Sequence, residues 1–153
     1  MKIPSIIVDL DGTLVANQSR MATLYQMPDH SGIDWDKWNE EARFDPHAEW
    51  CLELVEAMAE RGYYVLFVTG RSAFPVSQKI TEDWLAAHVP PSVQWKLIMR
   101  PANDLQDDSA IKSQIFWTQI APFYDVLFAV DDKESNCDMW RLLGITALHC
   151  ADY

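Results

Sequence analysis

Two carboxylates stand two residues apart at the close of an apolar run, in Val8-Asp9-Leu10-Asp11-Gly12-Thr13. The run itself, Ile3 to Val8, is short and rich in β-branched residues, the pattern of a buried strand. Asp9 and Asp11 would emerge at its carboxyl end, ahead of a turn glycine, and open α/β sheets bind ligands at that edge. An ionised carboxylate can attack phosphorus without a base to activate it, which casts Asp9 as a nucleophile forming an aspartyl-phosphate. Asp11 would protonate the leaving alcohol oxygen and then deprotonate the attacking water. That task calls for a pKa raised by burial beside Asp9.

Three further groups have the types that phosphoryl transfer needs: donors for the phosphoryl oxygens, a hard cation and acids to hold it. Thr69-Gly70-Arg71 follows the apolar stretch Tyr63 to Val68, and Asp131-Asp132 follows Val126 to Val130. Thr69 can donate its hydroxyl, helped by nearby backbone amides. Lys112 can place a point charge on the phosphoryl oxygens and on Asp9, while Asp108, one helical turn earlier, holds the ammonium in place. On this reading, removing Lys112 costs catalysis far more than folding. Magnesium suits the all-oxygen site, with Asp9, the backbone carbonyl of Asp11 and Asp131 as ligands and Asp132 holding a metal-bound water. Taken singly, Asp11-Gly12 could be a mere turn and Asp131-Asp132 a helix cap. The shared placement after apolar runs, in this order, favours the chemical reading.

These groups need elements to carry them. Asp45-Pro46 and Arg61-Gly62 predict the two ends of a helix, with Asp45 as N-cap and Cys51, Leu54, Val55 and Met58 on one face. A second strand spans Tyr63 to Val68, followed by a helix from Val76 to His88 with Val76, Ile80, Trp84 and Ala87 inward. Pro90-Pro91 breaks the chain before a strand at Trp95 to Met99. A helix over Ser109 to Ala121 is stopped by Pro122. Val126 to Val130 is the next strand, then a short helix at Met139 to Leu143 and a last strand at Thr146 to His149. This alternation predicts an α/β, Rossmann-like fold: a mostly parallel sheet with helices on both faces. Val15 to Phe44 is irregular and too long for a plain connection, so it reads as a lid, a flap or a substrate-facing insertion, with a packed surface excursion as the alternative.

The 153 residues, 49% hydrophobic, suit a single domain with one substantial core. No run reaches the length of a membrane span and Met1-Lys2-Ile3-Pro4 leads straight into the first strand, which predicts a soluble cytoplasmic protein without a signal peptide. Cys51, Cys137 and Cys150 form no Cys-x-x-Cys pair and read as buried thiols. The formal charge of −11 disfavours wrapping a long nucleic-acid duplex. His30, His47, His88 and His149 show no ligand spacing. Trp35 and Trp38 could stack a base, although packing against the core is the plainer reading. Trp50, Trp84, Trp95, Trp117 and Trp140 read as core or sheet-facing groups.

Asp9-x-Asp11-Gly12-Thr13, Thr69-Gly70-Arg71, Lys112 and Asp131-Asp132 resemble the motifs of the haloacid dehalogenase superfamily. Asp108 to Lys112, Ile115-Phe116-Trp117, Ile120-Ala121-Pro122, Asp125-Val126, Ala129 and Met139-Trp140-Arg141 narrow the resemblance to the 3′-phosphatase domain family of the bacteriophage polynucleotide kinase/phosphatases. That resemblance implies a HAD-like fold with a small cap or none. It also implies a magnesium-dependent phosphomonoesterase that removes 3′-phosphates from polynucleotide ends or nucleotides, as in DNA repair. It further implies substrate contacts from Arg20 and Arg71, with Thr69 and Gly70 in the same motif, and an orienting role for Asp108. Thr69 replaces the family's serine and keeps its hydroxyl. Gln106 stands where a basic residue is expected, Ser72 to Gln78 is shortened, and no Gly-x-x-x-x-Gly-Lys-Ser/Thr kinase loop occurs within these residues. The acidic charge and the missing loop favour a mononucleotide phosphatase, 5′ or 3′, as the close variant. A phosphoacceptor regulatory domain would use similar groups, but Asp11 beside a first-strand acceptor argues for turnover. A catalytically silent binding module is the remaining alternative.

Overall fold

The structure, a computed structural model, describes residues 1–26, 32 and 34–151. Five strands form one parallel sheet: β1 (Ile3–Val8), β2 (Tyr64–Ser72), β3 (Trp95–Arg100), β4 (Tyr124–Asp131) and β5 (Thr146–His149). Their order is β3-β2-β1-β4-β5, with β1 at the centre. All the predicted strands are present, and the α/β class is as the sequence predicts.

The helices are α1 (Gln18–Tyr25), α2 (Trp35–Glu41), α3 (Glu49–Glu60), α4 (Pro75–His88), α5 (Asp108–Ile115) and α6 (Glu134–Leu142). A 3-10 turn at Ala42–Phe44 follows α2, and a π-helical turn at Phe116–Ile120 extends α5. None of the described helices is long and apolar enough to cross a membrane.

The sheet separates two cores. Strand side chains alternate between faces, so Ile6 and Val8 of β1 and Val65 and Phe67 of β2 join Cys51, Leu52 and Val55 of α3 and Trp84 and Leu85 of α4. Ile7, Leu66 and Val68 face the other way, onto Ile111 and Ile115 of α5, Phe116, Ile120 and Trp140 of α6. Both faces of the central strands are covered, which is why they read as unbroken apolar runs.

Several sequence expectations are corrected. Helix α3 starts at Glu49 with Ala48 as its N-cap, because the Asp45 carboxylate pairs with Arg20 and its carbonyl accepts the Trp84 indole N–H at 2.8 Å. Leu52, not Leu54, is its additional buried contact. On α4 the inward face carries Ile80, Thr81, Trp84 and Leu85, while Val76 and Ala87 are exposed. The polar Thr81 hides that face from an apolar-periodicity reading: its hydroxyl donates to the Ser77 carbonyl and accepts from Arg71, so burial leaves it satisfied. Helix α6 begins five residues earlier than Met139, capped at Lys133. Trp50 and Trp117 are half exposed or more, whereas Trp84 and Trp140 are buried. Val15 to Phe44 is largely helical, through α1, α2 and the 3-10 turn; residues 27–31, which include His30, and residue 33 lie outside the described residues, as does the Trp35 side chain.

Within α4, Leu85→Ala should cost about 2–5 kcal/mol by leaving a cavity in the first core, and Val76→Ala should stay within about 0.5 kcal/mol. Urea midpoints of the two variants check this, and equal losses would restore the sequence-derived face.

Candidate functional site

The strand β1 ends at Val8, and the chain folds at once into a tight loop. Asp9 N–H donates to the Val130 carbonyl at 3.0 Å, Thr13 N–H and Val15 N–H return to the Leu10 carbonyl, and Gly12 N–H reaches the Val15 carbonyl at 3.0 Å. Gly12 sits at φ +79°, the left-handed region that a residue with a side chain enters only at a cost. The loop therefore presents Asp9 and Asp11 at the carboxyl edge of the sheet.

Lys112 is completely buried and carries the centre of the site. Its flanking residues Ile111 and Ile115 anchor α5 in the second core, and its Nζ donates to Asp9 Oδ1 at 2.8 Å and to Asp131 Oδ2 at 2.7 Å. Asp108 lies farther off, at 3.8 Å, so the ammonium is held chiefly by the two strand-end carboxylates and not by its helical neighbour. Burial would depress the Lys112 pKa, and the charges of Asp9, Asp131 and Asp108 outweigh it and push it up. The Asp9 carboxyl is raised well above its usual range, first by burial and then by Asp131 and Asp132, against the opposing pull of Lys112. Asp9, Asp131 and Asp132 each offer an oxygen, all within 4.8 Å of one another. An all-oxygen trio of crowded carboxylates suits a hard divalent cation. Without Lys112, two buried carboxylates lose their counter-charge, so its removal costs folding in addition to any cost to catalysis.

Between Thr69 and Ser72 the β2–β3 pairing shifts register, so Gly70 and Arg71 leave the ladder. Such a bulge re-aims a side chain. Here it turns the Arg71 guanidinium onto Asp11, with Nε to Oδ2 at 2.8 Å and Nη2 to Oδ1 at 2.6 Å. Thr69 Oγ1 accepts the Arg71 N–H at 3.2 Å, which leaves its own proton free to donate. Asn17 Nδ2 adds a third donor to Asp11 Oδ1 at 2.8 Å. Burial alone would raise Asp11, but Arg71, with help from Arg20 and Lys112, holds it below its ordinary value. This is opposite to the expected rise, and the cause is the guanidinium fork.

Asp108 packs so closely on the bulge that a Cβ on Gly70 would press against its Oδ1 and come within 3.0 Å of its Cγ. Asn136 bridges Asp108 and Asp131, with Nδ2 at 2.9 Å and 3.0 Å from their oxygens, and Lys133 and Arg100 approach Asp108 at 3.4 and 3.5 Å. Arg100 Nε also holds the Gly70 carbonyl at 2.9 Å. These groups open on a cavity of about 690 Å³, lined by Asp9, Asp11, Thr69, Gly70, Arg71, Asp108 and Asp132 among the expected residues. Gln18, Met21 and Ala22 of α1 form its outer wall, so part of the Val15 to Phe44 segment does face the site. Arg20 is elsewhere: it forks onto Asp45 at 3.0 and 3.1 Å, donates to the Trp38 carbonyl and lies 4.5 Å over the Trp38 ring. It borders a smaller cavity behind Asp11 and Arg71.

Arg100, Lys133, Asn136 and Asn17 were not singled out from sequence. Arg100 ends a strand, as the Asp9 and Asp131 positions do, and Lys133 follows the acidic doublet, so position alone could have flagged both. Asn17 precedes a helix and reads as an ordinary cap. Asn136 has no sequence signal at all.

A family model for the polynucleotide kinase PNKP phosphatase domain matches residues 4–153. A protein of Autographa californica nuclear polyhedrosis virus, named as a bifunctional polynucleotide kinase/RNA ligase, is 27% identical over 152 residues, which are 97% of this chain and 20% of that protein. A structure of a Pnkp1/Rnl/Hen1 complex superposes with a TM-score of 0.77 at 25% identity, over 99% of this chain and 48% of the other. A second, of the Pnkp1/Rnl/Hen1 RNA repair complex, gives 0.76 at 25% identity over 99% and 44%. A class C acid phosphatase from Bacillus anthracis with tungstate bound shares the fold at 0.65 and 14% identity, over 99% and 67%. The chain thus spans a fifth of its viral relative, and under half of each chain from the two Pnkp1 complexes.

The raised Asp9 predicts a sign for stability against pH. In chelator, the folded carboxyl keeps its proton above the unfolded value of 3.8, so stability falls as pH rises from there toward the folded value. Asp9→Asn removes that loss and should melt higher than wild type at pH 8, with the gap closing near pH 4. A gap that does not change with pH would show that Asp9 is not strained by its neighbours.

Proposed function

The chain belongs to the polynucleotide kinase PNKP phosphatase domain family, within the haloacid dehalogenase phosphatases, and we propose that residues 1–153 act as a single magnesium-dependent domain removing 3′-phosphates from polynucleotide ends or nucleotides. The observation that carries this is the convergence of Asp9, Lys112, Asp131 and Asp132, with Asp9 and Asp132 lining one cavity, Lys112 and Asp131 buried against them, and Asp11 two residues from Asp9 on the same cavity. Magnesium, held by Asp9, the Asp11 carbonyl and Asp131 with Asp132 beside them, would supply the positive charge that lets Asp9 ionise and the phosphoryl oxygens approach.

Asp9 attacks phosphorus as the P–O bond to the leaving oxygen breaks, and Asp11 delivers its proton to that oxygen. Water then attacks the aspartyl-phosphate, gives its proton to Asp11 and releases inorganic phosphate with Asp9 restored. Thr69 donates its hydroxyl to the phosphoryl group and Lys112 steadies the Asp9 carboxylate. Arg71 and Asp11 cannot stay forked through this cycle, because a guanidinium donates only and keeps Asp11 ionised. A phosphate dianion entering the cavity competes for Arg71 and frees Asp11 to take up from solvent the proton that it then passes to the leaving oxygen. Arg20, tied to Asp45, acts from behind this pair and would reach substrate only by leaving that carboxylate. Arg100 and Lys133 add cations at the cavity where Gln106 supplies none, which favours an anionic strand end as substrate. The RNA repair complex among the structural relatives favours RNA ends.

With magnesium, a 3′-phosphorylated oligonucleotide should release phosphate faster than 5′-mononucleotides, and chelator should abolish turnover. Asp9→Asn should eliminate activity while the circular dichroism spectrum stays native, and Asp11→Asn should slow it by roughly three orders of magnitude. An intact oligonucleotide end alongside turnover of 5′-mononucleotides would reassign the enzyme to mononucleotides, and activity surviving in Asp9→Asn would remove the covalent route.

A further inference from the structure

Asn17 is almost fully buried at the foot of α1, and its amide is fixed by chemistry on both sides. Its Oδ1 accepts the Gly12 N–H at 3.0 Å, so its Nδ2 must be the group that faces Asp11 Oδ1 at 2.8 Å. An amide nitrogen donates and does not accept. A proton on Asp11 Oδ1 would therefore point at another proton. Asp11 Oδ2 has a different neighbour, Arg71 Nε at 2.8 Å, which the incoming phosphate draws away.

We propose that Asn17 is a positioning residue that pins Asp11 by Oδ1 and so assigns Oδ2 as the oxygen that hands its proton to the leaving group. This rests on the phosphatase reading above and deepens it. When Arg71 moves to the phosphate, Asn17 is the donor that stays. It keeps the carboxyl plane from swinging while Oδ2 gives its proton to the departing alkoxide and takes one back from the attacking water. The backbone carbonyl of Asn17 also receives the Met21 N–H at 2.9 Å. Contacts that a leaving nucleoside makes with Gln18, Met21 and Ala22 thus bear directly on the residue that aims the acid.

The test compares two leaving groups with the magnesium-loaded enzyme. A nucleoside 3′-phosphate expels an alkoxide that needs a proton, whereas p-nitrophenyl phosphate expels a phenolate that departs without one. In Asn17→Ala the ratio of kcat/KM on the 3′-phosphate to kcat/KM on the aryl ester, which reads only the steps up to loss of the leaving group, should fall at least about tenfold, a part of the 10²–10⁴ that a placed acid supplies. Asn17→Asp keeps an acceptor for Gly12 N–H and removes the donor to Asp11. It should show the same split, and it decides the matter if Asn17→Ala melts below the assay temperature. Equal losses on both esters would mean that Asn17 merely supports the loop, and no loss on either would mean that Asp11 is aimed by something else; both overturn the proposal. A wild-type enzyme inert on both esters would instead sink the phosphatase reading itself.

Discussion

A single buried ammonium makes the rest of this site possible. Asp9 follows β1 and Asp131 ends the adjacent parallel strand β4, and strand pairing brings their largely buried carboxylates together. Two unscreened like charges at such a distance would oppose folding by several kcal/mol. Lys112 answers both at once, and it arrives there because Ile111 and Ile115 seat α5 against the sheet. The lysine is thus a structural requirement of the sheet edge before it is a participant in chemistry. Burial raises the Asp9 carboxyl, and Asp131 and Asp132 add to that rise against the pull of Lys112.

The same economy of charge governs Asp11. Its position demands a guanidinium, and the β2 bulge supplies one from the strand on the other side of β1. Gly70 lets that bulge lie flat against Asp108, and Arg100 ties the Gly70 carbonyl to the end of β3. Arg20, Asp45 and Trp84 form a second tie, joining α1 to α4 through a carboxylate that bonds on both its side chain and its backbone. Each cation near the cavity has a carboxylate partner, so an entering phosphate gains by exchange of partners and not by filling an undercharged surface.

Strand-end chemistry was legible in sequence because apolar runs, once read as strands, fix where the next polar residue must sit. Asp9, Asp11, Thr69, Arg71, Asp131 and Asp132 follow from that rule, and the α/β class needed nothing more than the alternation of strands with helices. The pairing of Lys112 with Asp9 was legible too, but other pairings across the fold were not. Asp45 has the type and spacing of a helix cap and is taken instead by an arginine 25 residues away. The inward face of α4 is masked by Thr81, a polar residue that burial tolerates because the Ser77 carbonyl and Arg71 both meet its hydroxyl. The state of Asp11 was misjudged for the same reason, since its partner lies 60 residues along the chain. Asn136 and Asn17 carry no local signal because an amide bridging two groups looks like any surface amide until its neighbours are in place.

The two cores on either face of the sheet hold different halves of the chemistry. Asp9, Lys112, Asp131 and Asn136 lean on α5 and α6, which belong to one core, while Asp11 is braced by Arg71, Thr81 and Asn17, on the side of α3 and α4. Repacking beneath α5 would disturb Lys112 and the carboxylates it neutralises, and repacking beneath α4 would disturb Arg71 and through it Asp11. Drift in sequence could then wear down the two carboxylate groups separately, each through the core that lies under it.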